Sequence, residues 1–518
     1  MKQYKFTILF GIMFALSFLN ACDKNLDVKP TAELESEYFS DQSRMQRGMR
    51  AVYAKITDLY TYNANNPPHK LWLLPGDDLR SNNARTMDDF KGLAGSDGDI
   101  NYIWNRLYQL INRANTMLQK IDENKNVYTD TDMIDYNRGE MYFIRGWAFY
   151  KLWSWWGKAP VVTDRVVGLS DKLYTPPSEG MAMLDSAIVD MENAEKLLPD
   201  SWPLSETGRA FHDGALGMLV KFYVVRACYK GGDAADYGKA ISYFEMISSD
   251  RQLVTQFGEN FDYRYENNSE SLFEFQASEK PAQENPWLDN DFVGVTGSMG
   301  AFYQHFDNSW TNQGALVAPS LKLINAFDPN DPRLPETFQA TEDGAWSFNG
   351  GFKMVKYVNG ERNFPVGLGG INSANNTRIL RLADVKLLAA EAYLETNSPD
   401  KALTQVNDIR DRARFSTTDG TEAAAPLDLT AVTMQDIMDE RLRELAGEEG
   451  IRWFDLKRWN AAGYIDLSTW TKEDFGFPAD YLDDIWGFET PTHLLMPIPV
   501  NEMDNNPKML ASGQNPGY

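Results

Sequence analysis

The segment Lys70 to Asn83 brings Trp72, Asp77, Asp78, Arg80, Asn82 and Asn83 together in a short polar stretch. An indole face stacks on flat C–H surfaces, while carboxylates, amides and a guanidinium beside it hydrogen-bond hydroxyl groups. This is the chemistry of a site for a neutral, polyhydroxylated ligand such as a sugar. The adjacent Asp77 and Asp78 also suggest acid/base work, but paired aspartates in polar loops ordinarily form turns and hydrogen bonds. A second piece of chemistry lies at the start of the chain. Lys2 and Lys5 precede an almost uncharged run from Phe6 to Leu19, and small residues then lead into Cys22. That order is the pattern of a lipoprotein signal, in which the cysteine thiol is acylated and becomes the new N-terminus. The run is too short for a comfortable membrane span of ~20 residues.

Other reactive constellations are missing from the sequence. His69, His212, His305 and His493 are scattered, with no His-x-x-x-His or paired-cysteine spacing for zinc. There is no Gly-x-Ser-x-Gly elbow and no phosphate-cradling glycine loop. Calcium held by loop carboxylates is chemically possible, but no EF-hand spacing supports it, and no cofactor is expected. Cys228 is the one cysteine besides Cys22, so a disulfide framework is excluded; its helical context reads as a buried small hydrophobe. The formal charge is −24, and becomes −26 once Lys2 and Lys5 leave with the signal. Such an acidic body disfavours nucleic acid and anionic headgroups as partners. The chain also carries 14 Trp, 24 Tyr and 28 Phe, more than a core alone tends to require.

Helical periodicity must position these groups. Met45, Met49, Val52, Tyr53 and Ile56 form one stripe over about 41–60, and Ile103, Leu107, Leu110, Ile111 and Met117 another over about 100–122. Further helices are expected at about 136–156, stopped by Gly157-Lys158-Ala159-Pro160, and from after Pro176-Pro177-Ser178 to Leu198. Others follow at about 208–230, 234–248, 378–395 and 399–413, with a long helical zone at about 431–459. A segment rich in Asn, Gly, Pro and aromatics intervenes at about 250–376. The helices count as four hairpins of tetratricopeptide size, which would stack into a continuous core. Long loops in such a body are usually functional.

Several segments resemble the SusD/RagB family of outer-membrane nutrient-binding lipoproteins. Glu140-Met141-Tyr142-Phe143-Ile144-Arg145-Gly146, running into Gly157-Lys158-Ala159-Pro160, is similar to a family helix that usually has alanine where Gly146 stands. Arg378-Ile379-Leu380-Arg381-Leu382-Ala383-Asp384 with Ala390-Glu391-Ala392, and Asn407 to Ala413, resemble the next two helical motifs. The strongest match is Glu440-Arg441 through Glu449-Gly450-Ile451-Arg452-Trp453-Phe454-Asp455-Leu456-Lys457-Arg458-Trp459. His493 to Pro499 and Gln514 to Tyr518 complete it. In the acid-rich zone, Glu440–Arg443, Arg441–Glu444, Glu448–Arg452 and Asp455–Arg458 are spaced to meet on helix faces. They are expected to form a structural ion-pair network around buried Trp453 and Trp459, not a catalytic carboxylate cluster.

The resemblance implies a mainly α fold, with four tetratricopeptide-like helix pairs forming a right-handed superhelix under a long, irregular, loop-rich layer. Residues 1–21 are then the removed signal, 22–40 a flexible leader, and 41–518 a single domain. That domain comprises helix pairs at about 41–248 and 378–413, a loop layer at about 250–376, and a C-terminal helical zone and tail at about 431–518. The resemblance also places the ligand site in the Lys70–Asn83 loop and in the later irregular segment. Trp287, Tyr303 and Trp310, with Phe292, Phe302 and His305, are the second set of candidates, and Trp346-Ser347-Phe348-Asn349 a third. The implied function is a non-catalytic, lipid-anchored outer-membrane protein facing the cell surface. It would bind oligosaccharide or polysaccharide and deliver it to a SusC-like TonB-dependent transporter. A peptide-binding subunit of the same kind of complex is the alternative, and a helical glycosidase a remote one.

Overall fold

The computed structural model describes residues 38–60, 69–81, 85–168, 174–277, 317–340, 351–358, 363–366, 370–373, 375–480 and 486–518. Cys22 and nearly all of the expected leader lie outside these residues. Ten helices of ten or more residues occur among those described. They are α1 (Gln42–Tyr60), α2 (Gly98–Glu123), α3 (Asp132–Trp156), α4 (Ala182–Leu197), α5 (His212–Tyr229), α6 (Ala234–Phe244), α7 (Leu382–Glu395), α8 (Pro399–Phe415), α9 (Met434–Leu445) and α10 (Ile451–Ala462). Each of α1 to α7 packs on the next, and α7 continues directly on α6 although more than a hundred residues separate them. The expected four pairs are therefore one uninterrupted stack. α9 packs on α7 and α10 on α5, closing one side.

Local signals set the helix ends. Asp97 caps α2 by accepting from the Asp99 and Ile100 amides, Asp233 caps α6, and Thr433 with Asp436 forms a capping box on α9. The stripes on α1 and α2 are buried as their spacing predicts. From Gly139 onward α3 is enclosed on nearly every side, and four of its tryptophans (Trp147, Trp153, Trp155 and Trp156) belong to the core. Gly146 lets α4 approach closely: a Cβ there would stand 2.9 Å from the Ala187 carbonyl oxygen. Gly157 ends α3 at φ +68°. The C-terminal motif then seals that end. The Asn515 side chain donates to the Trp156 and Met496 carbonyls, and Lys158 reaches the carbonyls of residues 512 to 514.

The strands form four two-stranded antiparallel ribbons: β1 (Leu79–Ser81) with β3 (Val317–Pro319), β2 (Ser271–Phe275) with β8 (Thr377–Arg381), β4 (Phe338–Ala340) with β5 (Phe352–Met354), and β6 (Asn363–Val366) with β7 (Gly370–Ser373). The β2–β8 ribbon lies on α5. It corrects one boundary. Arg378 to Arg381 reads as the first turn of a helix in sequence, yet it is a strand, because β2 supplies its hydrogen bonds and α7 begins only at Leu382.

A second correction falls at 431–459, where the helical zone breaks at Ala446–Gly450. Gly447, Glu449 and Gly450 all adopt positive φ there. Two of the four expected helix-spaced ion pairs form, Glu440–Arg443 and Asp455–Arg458. The other two do not. Arg441 binds Asp384 and Asp455, Glu444 binds Arg333, Arg381 and Arg412, Glu448 binds Arg381 and Lys356, and Arg452 binds Asp77. In a buried zone, distant partners of opposite charge outcompete neighbours on the same helix face. Trp453 and Trp459 are buried among these groups, as expected. Cys228 is buried too, beside the Tyr237 hydroxyl.

Candidate functional site

The break between α9 and α10 is a socket for the segment that carries the first set of candidates. The Gly447 amide donates to Asp78 Oδ2 at 2.8 Å. Gly450, at φ +69°, lies against the Trp72 backbone, where a Cβ would stand 2.5 Å from the Trp72 carbonyl oxygen. Arg452 donates from Nε and Nη2 to the two oxygens of Asp77 at 2.5 and 3.1 Å, and Lys322 reaches Asp77 Oδ2 at 2.7 Å. Arg80 pairs with Asp88 at 2.5 Å, donates to the Gly76 and Phe475 carbonyls, and lies 4.2 Å over the Phe477 ring.

These contacts overturn part of the sequence expectation. Trp72, Asp77, Asp78 and Arg80 are all at most 3% exposed and cannot present a stacking platform to solvent. The physical reason is mutual satisfaction, because a carboxylate and a guanidinium that have each found a partner are held inside. Burial alone would raise the Asp77 carboxyl, but Arg452 and Lys322 outweigh it and hold it well below the usual carboxylate range. Burial raises neighbouring Asp78 to about 6. Two acids titrating apart can mark acid/base chemistry, but both of these are enclosed. Asn82, Trp287, Tyr303 and Trp310 lie outside the described residues, as do Phe292, Phe302, His305 and Trp346 to Asn349.

What the described residues do bring together is the set of roots from which these segments depart. In the β1–β3 ribbon Ser81 stands opposite Val317, so the chain leading to Asn82 leaves beside the chain arriving from Trp310. β3 lies alongside β5, and Ala340 stands opposite Phe352 at the open end of the β4–β5 ribbon, where the chain leads toward Trp346. The three candidate segments, far apart in sequence, are thus rooted on one contiguous frame.

An aromatic shelf beside this frame escaped the sequence reading. Trp470, Trp486 and Phe488 are half-buried around Phe475, with ring centroids 5.2, 5.1 and 4.8 Å from it. Lys322, which follows β3, holds its ammonium 4.1 Å from the Trp470 ring centre. The sequence signal is the close spacing of aromatics around glycine in Trp470 to Phe477 and Trp486-Gly487-Phe488, within the segment that the sequence marks only as tail. Part of the aromatic load is packing: eight of the 14 tryptophans (Trp72, Trp104, Trp147, Trp153, Trp155, Trp156, Trp453 and Trp459) are core residues.

The acid-rich zone is a closed network. Burial would raise Glu440, but Arg333, Arg443 and Arg410 outweigh it and bring it to about 2; Glu444 is likewise held low, by Arg412, Arg381 and Arg333. Carboxylates held ionised in this way neither donate nor take up a proton near neutral pH. Among the described residues no group of three or more acids, histidines or cysteines converges as a metal site, and no helix is long and apolar enough to cross a membrane.

A stack of helix pairs that carries the roots of three long segments on one frame defines a helical scaffold protein. Comparison with known proteins shows which family it resembles. Residues 335–518 match the model of the SusD family, and residues 24–224 match a related model described as starch-binding associating with outer membrane. Over both stretches the chain is similar to SusD-type proteins. A SusD-like protein of Formosa agariphila is 27% identical over 451 residues, covering 80% of this chain and 79% of the relative. Among solved structures, surface glycan-binding protein A from Bacteroides fluxus has the same fold, with TM-score 0.72 and 20% identity over 92% of this chain and all of the other. A laminarin-binding SusD-like protein aligns at TM-score 0.71 and 21% identity, covering 92% of this chain and 100% of that one.

Proposed function

We propose that the protein is a non-catalytic, lipid-anchored outer-membrane protein that binds oligosaccharide or polysaccharide at the cell surface. Cys22 carries the lipid, and the bound glycan passes to a SusC-like TonB-dependent transporter. Tethering keeps the protein beside that transporter at high effective concentration. Trp287, Tyr303 and Trp310 supply stacking faces, Asn82 supplies hydrogen bonds, and Trp470 and Trp486 extend the platform from the frame.

The observation that carries this reading is that roots of the three candidate segments share one frame, in a fold shared with glycan-binding proteins. The charges of Asp77, Arg80 and Arg452 at the frame are engaged within the fold, which leaves recognition to the candidate segments.

Affinity electrophoresis of the mature protein through gels containing laminarin, starch or xyloglucan tests the proposal, with a peptide-binding assay alongside. Retention by a glycan, lost in a W287A/W310A variant of unchanged melting temperature, is the expected result. Binding of peptides with no glycan retained would favour a peptide carrier, and release of reducing ends from any glycan would make the protein an enzyme.

A further inference from the structure

A cleft of about 390 Å³ opens where α2 meets the extended chain after α3 and the short helix Val500–Asn505. Among the described residues, its lining includes none of the β1–β3 frame and none of the aromatic shelf. α2 carries Asn101, Asn105, Gln109 and Asn112 at steps of four, four and three residues, which places the carboxamides along one face of the helix.

These amides do different work. Asn112 is committed to structure: its side chain receives the Val166 amide at 2.8 Å and donates to the Val166 carbonyl at 3.3 Å, fixing the cleft wall to the helix. Asn105 and Gln109 are exposed and only half used. Asn105 gives one amide proton to Asn101, and Gln109 accepts from Arg106. The Asn105 carbonyl and the Gln109 NH2 group remain available, an acceptor and a donor side by side on the cleft rim.

The opposite wall is apolar, made by Pro160, Val162 and Val166, with the Tyr108 ring between it and the amides. Tyr108 cannot swing away, because its hydroxyl donates to the Pro160 carbonyl at 2.8 Å. Among the described residues, the one charged side chain of the lining is Glu502, whose carboxylate accepts from Asn506 at 3.0 Å and from the Trp104 indole at 3.4 Å. In a body of formal charge −24, a cleft in which the charge found among the described residues is already engaged is suited to an uncharged ligand. An apolar wall with a few convergent hydrogen-bonding groups, in the volume range of small-molecule sites, is the general design of such a pocket.

We propose that this cleft is a second, independent binding site for a small neutral polyhydroxylated ligand of one or two sugar residues. Asn105 and Gln109 read its hydroxyls, and Tyr108 with Pro160 packs against its C–H face. The site does not depend on the loop-built platform.

Saturation-transfer NMR of the mature protein with D-glucose, D-galactose and D-mannose tests the proposal. Three variants accompany the wild type: N105A/Q109L, Q119L on the same helix outside the cleft, and W310A in the loop platform. At least one sugar should show transfer, with wild-type affinity in Q119L and with transfer persisting in W310A. The double variant should bind about tenfold more weakly, the loss expected for two neutral hydrogen bonds, with its melting temperature unchanged. Transfer from none of the three sugars would overturn the proposal, as would equal affinity in N105A/Q109L. Loss of transfer in W310A would also overturn it, by placing the sugar on the loop platform instead.

Discussion

Replacing Asp77 by Asn separates a buried strut from a ligand contact, because the two roles predict opposite results. The side chain keeps its shape, so packing changes little and the charge alone is lost. Arg452 is then left buried with its guanidinium short of an anion that stood 2.5 Å from Nε and 3.1 Å from Nη2. Removing one partner of a buried ion pair costs about 3–5 kcal/mol. Lys322 adds less, because its side chain is 33% exposed and water screens it.

Denaturant unfolding followed by tryptophan fluorescence should show D77N losing about 3–5 kcal/mol at pH 7. Glycan retention by the folded fraction should be unchanged. The folded carboxyl lies well below its ordinary value of 3.8, so its stabilising contribution is complete above that value and disappears as pH falls through the folded value. The two proteins should therefore converge in strong acid. A D77N protein within about 1 kcal/mol of wild type that no longer binds glycan would refute the reasoning and return Asp77 to the binding face.

Asp78 carries the opposite sign. Its carboxyl is raised by burial to about 6, so the stability it contributes is complete below the unfolded value of 3.8 and is lost as pH rises through about 6. At about 1.4 kcal/mol per pH unit, D78N should remove a decline of up to about 3 kcal/mol between pH 4 and 7, measured as denaturation midpoints across that range; parallel profiles would contradict it. Gly157 ends α3 at φ +68°, and an added Cβ would stand 3.0 Å from Leu495 Cδ1. G157A should cost about 1–2 kcal/mol from the backbone alone, seen as a lowered melting temperature, and an unchanged one would mean that the helix end tolerates another conformation.

The helices were legible because their signal is local. The stripe from Met45 to Ile56 needs only one turn after another to repeat, and the caps at Asp97 and Asp233 sit within a few residues of the helices they start. Arg378 to Arg381 was not legible as a strand, because the decision belongs to β2, a hundred residues upstream. The same holds for charge. Helical spacing allowed Arg441 to meet Glu444 and Glu448 to meet Arg452, but Asp384 and Asp77 were within reach in space and took the arginines. The break at Gly447 to Gly450 left a sequence trace in its two glycines. Its purpose did not show, since the Trp72–Asp78 segment that it seats lies more than 350 residues away.

Trp72, Asp77 and Arg80 have the composition of a sugar platform and the position of a foundation, and the difference lies in who satisfies their charges. Arg80 makes the point most sharply. Its guanidinium is held by Asp88 and two carbonyls on one side and lies over Phe477 on the other, and Phe477 packs on Trp486 at 5.2 Å. A buried cation thus ties the root of the Asn82 segment to the aromatic shelf. Changing it leaves Asp88 buried without its partner, whereas changing an exposed loop residue ordinarily shifts stability by less than about 0.5 kcal/mol. That inequality makes substitutions at exposed loop positions cheap in stability, while the paired charges of the frame keep the segment roots in register.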